Sequence, residues 1–289
     1  MRRGSTRTVL LSLVVAACSS MPPASAASAD AEPAPFVVLS WNVRYGTARD
    51  GADNWPLRRE MLAAAIVAEA PHVLGVQEAL ADQLTFLDAR LPHHRRLGEG
   101  RDGGARGEHA ALYVDTTRFD VTASGTFWLS PTPDVVGSVG WDAALTRICT
   151  WASLRDRASE RALTVWNVHF DHRGAEARLR SAELVVQRLQ ALPGPHVVLG
   201  DCNAGEEAAP LVALRAAGLR DTFRDLHPAA RDVGTFHAFR GGSTGEKIDH
   251  VLVDAGLVTE GAAILSAPGA NGRWPSDHHG VVAALRWCR

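Results

Sequence analysis

Short apolar runs rich in β-branched and aromatic residues alternate with longer stretches in which apolar residues recur every three or four positions. From residue 36 onward, the runs FVVLSW, HVLGVQ, ALTVWNVHF, HVVLG and KIDHVLV are typical of buried strands. Stretches 56–70 and 175–192 are typical of amphipathic helices that lie on a sheet. No linker rich in Pro, Gly or Ser separates these elements. The pattern predicts one domain of layered α/β architecture, with helices covering paired sheets.

The two helical stretches also predict which of their faces are buried. Along 56–70, one helical stripe carries Leu57, Met61 and Ala65. Along 175–192, the residues expected to face inward are Leu179, Ala182, Val186 and Leu189. Both sets follow the helical period, so each should pack against a sheet.

The first 29 residues differ from the rest of the chain. Three arginines precede the apolar run TVLLSLVVAA, and small residues follow in ASAASA, a pattern typical of an export signal. The apolar run is about half the length that spans a membrane, so we expect export without a permanent anchor. Cleavage after Ala26 or Ala29 would release a secreted or periplasmic protein, whereas the lipobox-like VAAC would leave a lipoprotein anchored through Cys18. We favour the soluble form, with residues 1–29 as signal and tether and 30–289 as the folded domain.

Charge narrows the range of partners. The chain has 30 basic and 32 acidic residues, and without the three arginines of the signal the balance is 27 to 32, a net charge near −5. This leaves no general basic footprint for nucleic acid. The cysteines are scattered and form no metal-binding motif. No feature indicates a protein partner, and we expect a monomer.

Polar residues occur where the apolar runs end. Asn42 ends FVVLSWN, Glu78 ends HVLGVQE and His169 ends ALTVWNVH. Asp201 and Asn203 follow HVVLG in the same way. One such residue is most often a turn former or a helix cap. Five in succession indicate an active site, because α/β folds gather their sites at the ends of strands.

Three further residues complete this polar set. Asp249 lies within the apolar run KIDHVLV, and Asp277 with His278 precedes the last strand. A buried carboxylate without a partner is costly, so a shared cation would stabilise the group. Carboxylates and amides without thiolates favour Mg²⁺, Mn²⁺ or Ca²⁺ over zinc, with Glu78 as the first carboxylate. Histidines that bind phosphate or move a proton would complete a site for metal-assisted phosphoester hydrolysis.

A buried arginine is a further candidate. Arg147 lies in the otherwise apolar run LTRICTW. Its guanidinium either pairs with a buried acid or binds the substrate phosphate. We favour the phosphate.

Six short motifs follow the order found in the endonuclease/exonuclease/phosphatase superfamily, which the chain resembles along its whole length after the signal. They are WN at 41–42, VQE at 76–78, NVH at 167–169, GDCN at 200–203, IDH at 248–250 and SDH at 276–278. Nucleases, sphingomyelinases, inositol-polyphosphate phosphatases and deadenylases belong to this superfamily. The resemblance implies a four-layered α-β-β-α sandwich of two packed mixed sheets, with the active site at one end.

The resemblance also implies which residues serve a metal ion. Asn42 and Glu78 look like residues of a Mg²⁺ or Mn²⁺ site, and Asp277 is expected near the same ion. Glu108 resembles an acidic residue that steadies the histidine at position 169 in the nuclease branch. A surface glutamate is the alternative interpretation of Glu108.

The catalytic roles follow from the same resemblance. His169 corresponds to the histidine that contacts the scissile phosphate or the leaving group. Asp201 resembles the residue that orients or deprotonates the attacking water, and Asn203 its partner on the phosphate. Asp249 looks like the support of a catalytic histidine, and His278 like the histidine that binds the phosphate and steadies the transition state.

These features predict an exported, metal-dependent phosphoesterase, in the first place a phosphodiesterase or nuclease that uses an activated water. A phospholipid or sugar-phosphate phosphatase of the same fold is the first alternative, and a non-catalytic module that binds a phosphate ligand is the second. One departure from the superfamily is GDCN, where Cys202 replaces an aromatic residue. Alternation along the strand predicts that Cys202 points away from Asp201 and Asn203.

Overall fold

The computed structural model describes residues 34–192, 194–269 and 271–288. The predicted signal and tether, with both processing sites, lie outside the described residues. The described residues belong to one compact unit. Within them, no helix combines the length and the apolar character needed to cross a membrane.

Two sheets of six strands form the framework. The first consists of β1 (Phe36–Asn42), β2 (Val73–Ala79), β3 (His94–Leu97), β4 (His109–Asp115), β11 (Leu257–Leu265) and β12 (Gly280–Trp287). The second consists of β5 (Phe119–Trp128), β6 (Ile148–Asp156), β7 (Ala162–His169), β8 (His196–Asp201), β9 (Arg220–Asp221) and β10 (Asp249–Val253). Their spatial orders are β11-β12-β1-β2-β4-β3 and β5-β6-β7-β8-β10-β9. Both are mixed, because β1 with β2 and β7 with β8 run parallel among otherwise antiparallel neighbours.

Helices cover the outer faces of the sheets. They are α1 (Trp55–Glu69), α2 (Ala81–Asp88), α3 (Ala175–Ala191), α4 (Ala209–Ala216) and the short α5 (Thr222–Leu226). One apolar cluster fills the space between the two sheets. A second packs α1 and α2 on the first sheet, and a third packs α3 and α4 on the second. The four-layered α-β-β-α sandwich predicted from the sequence is therefore confirmed.

Helix α1 forms where the sequence predicts it but buries a different face. Trp55, Leu62 and Ile66 are buried, whereas Leu57 is 60% exposed. The predicted stripe was wrong because a charged residue, Arg58, occupies a core position on the buried face. An apolar pattern alone cannot assign an arginine to the interior.

Helix α3 follows its predicted face more closely. Ala182 and Leu189 are buried as expected. Leu179 and Val186 are only half-buried, because the centre of the buried face lies one position away, at Val185. The helical period is therefore predicted correctly, but the buried face is centred one position away from the predicted face.

The parallel pairs bring the predicted site to one end of the molecule. Asn42 is the last residue of β1, paired with the β2 residue next to Glu78. In the second sheet, His169 and Asp201 are the paired last residues of β7 and β8. Antiparallel β10 begins at the same end, with Asp249 opposite Asp201.

The two sheets approach closely beneath this end. A Cβ at Gly75 would lie 2.0 Å from Leu199 Cδ1 and 2.9 Å from Asn167 Cγ, so a larger residue would displace the side chains of the facing sheet. Next to it, Gln77 Nε2 donates to Asn167 Oδ1 at 2.7 Å, and Asn167 Nδ2 donates to two backbone carbonyls of the first sheet. These buried hydrogen bonds fix the spacing of the sheets below the site.

Candidate active site

A cavity of about 580 Å³ opens where β1, β7 and β8 end. Eight of the ten predicted site residues line it, namely Glu78, Glu108, Arg147, His169, Asp201, Asn203, Asp277 and His278. Asn42 and Asp249 lie buried behind the cavity, where they contact Asp201 and His278 respectively. The fold therefore brings all ten residues to one place.

A second and larger cavity carries none of these residues. It has a volume of about 750 Å³ and lies between α4, α5 and β10. Its charged residues pair with each other, as Arg224 does with Glu206 at 2.7 Å. Size alone would favour this cavity, but the acids with raised pKa values and the buried polar atoms of Arg147 and Asp249 described below lie in or directly behind the smaller one.

Left-handed backbone geometry occurs at three non-glycine residues around the smaller cavity. The φ angles are 55° at Arg44, 64° at Glu78 and 47° at Asn203. The pairing of β2 with β4 shifts register between Val76 and Ala79, so Glu78 lies on a bulge. Bulges redirect side chains, and backbone in this region costs about 1–3 kcal/mol per residue. The fold keeps these conformations where they aim polar groups at the cavity.

Glu78 and Asp277 supply the carboxylates of the predicted metal site. Glu78 Oε1 accepts a hydrogen bond from Asn42 Nδ2 and Oε2 accepts one from the Tyr45 amide, each at 3.1 Å. Asp277 Oδ2 lies 3.6 Å from Arg44 Nε. Burial raises the pKa of Asp277, and the charge of Glu78 raises it further. These oxygen donors, without any thiolate, fit a Mg²⁺ or Mn²⁺ ion, whose charge would stabilise both ionised acids.

Asn42 links the carboxylates of the two sheets. Its Nδ2 donates to Glu78 and, at 3.0 Å, to Asp201 Oδ2. Its Oδ1 accepts the Arg44 amide at 2.9 Å. In this arrangement the side chain positions both acids, and its role as a direct metal ligand stays a prediction.

The group of predicted catalytic residues is built around His278. Its Nδ1 lies 2.9 Å from Asp249 Oδ2, and its Nε2 lies 3.9 Å from Asp201 Oδ2. Potential ligand atoms of these three residues lie within 4.8 Å of one another, so they too could hold a cation. The second carboxylate oxygen of Asp249 is buried and has no hydrogen-bond partner among the described residues. Two carboxylates thus share one histidine.

Because of this arrangement, the pKa values of Asp201 and His278 both depart from their ordinary values. Burial raises the pKa of Asp201, and the nearby charge of Asp249 raises it further. Burial alone would lower the pKa of His278, but the charges of Asp249 and Asp201 outweigh it and raise that pKa to about 10. His278 is therefore a cation at neutral pH, next to an acid that takes up a proton more readily than an ordinary aspartate.

Arg147 and two histidines form the opposite wall. Arg147 Nη1 lies 2.9 Å from His169 Nε2, and Nη2 lies 3.0 Å from His172 Nδ1. Behind it, Asp171 Oδ2 lies 3.5 Å from Arg147 Nε, which has no hydrogen-bond partner in the part of the chain that the structure describes. Burial and the charge of Arg147 lower the pKa of His169 well below its usual range. His169 is therefore neutral, and its Nε2 lies 3.6 Å from Asp201.

Glu108 and Asn203 have partners at the edge of the site. Glu108 Oε2 accepts from Arg101 Nη1 at 2.9 Å, and no hydrogen bond between Glu108 and His169 occurs in the described part of the chain. The proposed support of His169 by Glu108 stays a prediction. Asn203 Nδ2 donates to the Phe170 carbonyl at 3.0 Å, which leaves its Oδ1 beside the cavity.

Sequence reasoning missed several residues that line the cavity. They are Arg44, Tyr45, Arg101, Leu145, His172, Phe236 and Ile248. Two had a usable signal, because Arg44 follows the predicted Asn42 closely and His172 lies just beyond His169. Ile248 lies in the run KIDHVLV just before β10, and the others come from loops whose path the apolar pattern does not determine. Cys202 lies in the apolar cluster under α3 and α4, which confirms that it points away from the cavity.

Comparisons with known proteins agree with this geometry. The sequence model of the endonuclease/exonuclease/phosphatase family matches residues 39–278. A Bacteroides thetaiotaomicron protein of that family is 31% identical, with a TM-score of 0.82 over 90% of this chain and 100% of its own. A mannosyl-6-phosphatase from the same species is 32% identical, with a TM-score of 0.80 over 87% of this chain and 100% of its own.

A more distant structure shares the fold alone. The human Nocturnin catalytic domain is 19% identical, with a TM-score of 0.71 over 88% of this chain and 94% of its own. No curated protein sequence matches the chain. The family match spans most of the residues that form the two sheets and reaches from β1 to His278. The chain therefore belongs to the endonuclease/exonuclease/phosphatase family.

Proposed function

We propose that the protein is an exported, metal-assisted phosphomonoesterase that releases phosphate from a small polar ester such as a sugar phosphate. The sequence favours a phosphodiester substrate first and a sugar phosphate second. Features of the cavity support the sugar phosphate. Export rests on the pattern of residues 1–29 alone.

The observation that carries the proposal is the environment of the buried Arg147 guanidinium. It is 5% exposed, and its one ion pair in the described residues is the long contact to Asp171. Its terminal nitrogens contact imidazoles instead of acids. A guanidinium in this state offers a two-pronged site for phosphate oxygens. Together with protonated His278, it supplies two positive charges, which match the dianion of a phosphate monoester better than the monoanion of a diester.

The surroundings of the cavity support a small substrate. The acids Glu78, Glu108, Asp201 and Asp277 line it together with the basic groups. A nucleic acid requires an extended basic track for its neighbouring phosphates, and the net charge of the folded domain is negative. A single phosphate with a compact leaving group satisfies the local charges without such a track.

The geometry supports attack by a water held at Asp201. The oxygen of this water bonds to phosphorus while the bond from phosphorus to the leaving oxygen breaks, and the water proton passes to Asp201. The leaving oxygen takes a proton from solvent, so the products are an alcohol and inorganic phosphate. Arg147 and His278 hold the phosphoryl oxygens, and the raised pKa of Asp201 suits a general base. A divalent cation held by Glu78 and Asp277 would neutralise charge on the phosphoryl group.

Similarity to the mannosyl-6-phosphatase, 32% identical over its full length, supports the same substrate class. The test measures phosphate release from mannose 6-phosphate and turnover of bis-p-nitrophenyl phosphate and single-stranded DNA, each with Mg²⁺ and with EDTA. We expect kcat/KM for the monoester to exceed that for the diesters by about 100-fold, with no turnover in EDTA. Faster diester cleavage would contradict the proposal. Binding of phosphate without turnover of any ester would indicate a binding module.

A further inference from the structure

One wall of the catalytic cavity is apolar. Phe236 and Ile248 line it beside His278, and we call this pair the apolar lip. Phe236 is 49% exposed, although it is a large aromatic residue. Its ring centroid lies 5.0 Å from that of His278, at an interplanar angle of 58°. An uncovered aromatic surface therefore adjoins a group that is expected to bind phosphate.

The residue before Phe236 is fixed in the interior. Thr235 is fully buried, and its Oγ1 accepts the amides of Ile248 at 3.0 Å and Asp249 at 3.1 Å. Its carbonyl accepts the amide of His279 at 2.8 Å. Thr235 thus ties the segment that carries Phe236 to the start of β10.

The residue after Phe236 is fixed as well. His237 is buried, and its amide donates to the Asp277 carbonyl at 2.9 Å. Phe236 itself forms an antiparallel bridge with His278. Since neighbouring residues in extended backbone point in opposite directions, two inward neighbours require Phe236 to face the cavity. These hydrogen bonds hold the backbone in the orientation that places the Phe236 side chain on the cavity side.

This position suits the leaving group of a phosphate ester. The phosphate oxygens are expected at Arg147 and His278, so the remainder of the ester extends from phosphorus along a neighbouring wall. Phe236 and Ile248 form such a wall next to His278. The C–H face of a sugar ring can cover the exposed aromatic surface and displace water from it.

We propose that the apolar lip binds the ring of the leaving group, which makes Phe236 a specificity-determining residue that selects cyclic over acyclic phosphate esters. This inference rests on the proposed function, because it assigns the leaving group at the same site. Phe236 donates no proton and binds no phosphate, so its effect is confined to recognition.

The experiment measures binding by calorimetry with Mg²⁺ in an Asp201→Asn background, where turnover is expected to be too slow to consume the ligands during the titration. The ligands are mannose 6-phosphate, acyclic glycerol 3-phosphate and inorganic phosphate. The variants are Phe236→Ala, Phe236→Trp as the conservative replacement, and Leu226→Ala as the control. Leu226 is 41% exposed at the end of α5 and lies outside the residues that line the cavity.

We expect the parent protein to bind mannose 6-phosphate more tightly than glycerol 3-phosphate. Phe236→Ala should reduce that preference by about tenfold, Phe236→Trp should preserve it and Leu226→Ala should not change it. A parent protein without the preference, or Phe236→Ala that weakens all three ligands equally or none of them, would overturn the inference. If the preference exists but the active protein releases no phosphate, the proposed function fails while the lip remains a ring-binding surface.

Discussion

Two buried clusters, each with an aspartate and a histidine, contain residues of the second sheet, and only one of them faces the cavity lined by the predicted site residues. The structural cluster consists of Asp221, Lys247 and His250. Lys247 Nζ lies 2.5 Å from Asp221 Oδ2, and His250 Nδ1 lies 3.0 Å from the same oxygen. His250 Nε2 lies 3.1 Å from the Ala204 carbonyl. Despite burial, the bond to His250 and the charge of Lys247 hold the pKa of Asp221 well below its usual range.

The catalytic cluster consists of Asp201, Asp249 and His278. It has two carboxylates for one histidine, and no described residue forms a hydrogen bond with the buried Asp249 Oδ1. In contrast to Asp221, Asp201 has a raised pKa. The cluster therefore carries an excess of negative charge that a metal ion or a protonated group must balance.

The comparison shows that burial of acid and histidine together does not identify an active site. Asp249 and His250 are neighbours in β10, and alternation sends one to each cluster. The structural cluster contains its own cation and satisfies its acid. The catalytic cluster leaves charge and hydrogen-bonding capacity for a ligand. Buried charge that neighbouring groups do not fully neutralise, next to a cavity, is therefore the feature that indicates an active site.

The predictions below test this distinction in order of their expected effect on turnover. Replacing the acid of the catalytic cluster should have the largest effect. Asp201→Asn removes the general base and should lower kcat by about 100-fold to 10,000-fold. The matched variant, Asp221→Asn, should retain kcat in its folded fraction. The assay is release of phosphate from mannose 6-phosphate. Equal losses of kcat in the two variants would show that the two clusters do not differ in their role in turnover.

A second prediction concerns the charge balance supplied by the metal. Glu78→Gln removes a carboxylate of the expected ion site and should weaken Mn²⁺ binding by about tenfold or more, measured by calorimetry without substrate. The Mg²⁺ concentration needed for half-maximal activity should rise in parallel. Glu108→Gln is the control, because Glu108 pairs with Arg101 instead. Unchanged metal binding in Glu78→Gln would contradict the assigned site.

A third prediction concerns pH. The wild-type rate should fall at alkaline pH as His278 deprotonates, with a pKa of about 10, and at acidic pH as Asp201 protonates. Asp249→Asn removes the negative charge that raises the pKa values of His278 and Asp201. Both the alkaline and the acidic limb of the pH–rate profile should therefore move to lower pH, the alkaline limb by about one unit or more. A profile of kcat against pH that stays in place would refute this coupling.

The same coupling sets the pH dependence of stability. Because the pKa of His278 is raised in the folded state, its contribution is complete below the ordinary histidine value of about 6.5. The contribution is lost as pH rises through about 10. Asp249→Asn should remove most of this alkaline loss, which urea unfolding at several pH values can measure.

The smallest effect on turnover is expected in the structural cluster. Lys247→Met leaves Asp221 without its buried cation and should lower the free energy of unfolding by about 3–5 kcal/mol. Turnover per folded molecule should remain within about twofold. Arg59→Met, on the exposed side of α1, should change stability by less than about 0.5 kcal/mol. A loss of turnover greater than the loss of folded protein would assign Lys247 to the catalytic site.

The sequence predicted Asp201 and His169 from the ends of strands, whereas Asp249 and His278 lie at or just before the starts of strands and were identified through the IDH and SDH motifs. Asp201 and His169 end β8 and β7, so apolar runs mark their positions, and the parallel pairing of these two strands brings them together. The contribution of Phe236 could not be predicted, because its direction depends on hydrogen bonds to the distant segment around Asp277.

The same limit applies to Arg58, which pattern reading did not assign to the core. Its guanidinium donates to the carbonyls of Val43, Arg44 and Pro275, which become neighbours only in the folded chain. The period of the sequence shows which positions are apolar. It does not show which arginine or lysine side chains are buried with hydrogen-bond acceptors around them. Strand ends are therefore predictable from the sequence, and the loops that complete the cavity are not.

The most direct test of the account compares the two histidines of the two clusters. Turnover of mannose 6-phosphate at saturating Mg²⁺ is measured for His278→Ala and His250→Ala, with folding checked by circular dichroism. We predict that His278→Ala loses about 100-fold or more in kcat, on the order of 3 kcal/mol, because a charged donor to the transition state is lost. His250→Ala should lose stability while its folded fraction keeps turnover within about threefold. A dead His250→Ala beside an active His278→Ala would contradict the assignment of catalysis to the cluster of Asp201, Asp249 and His278.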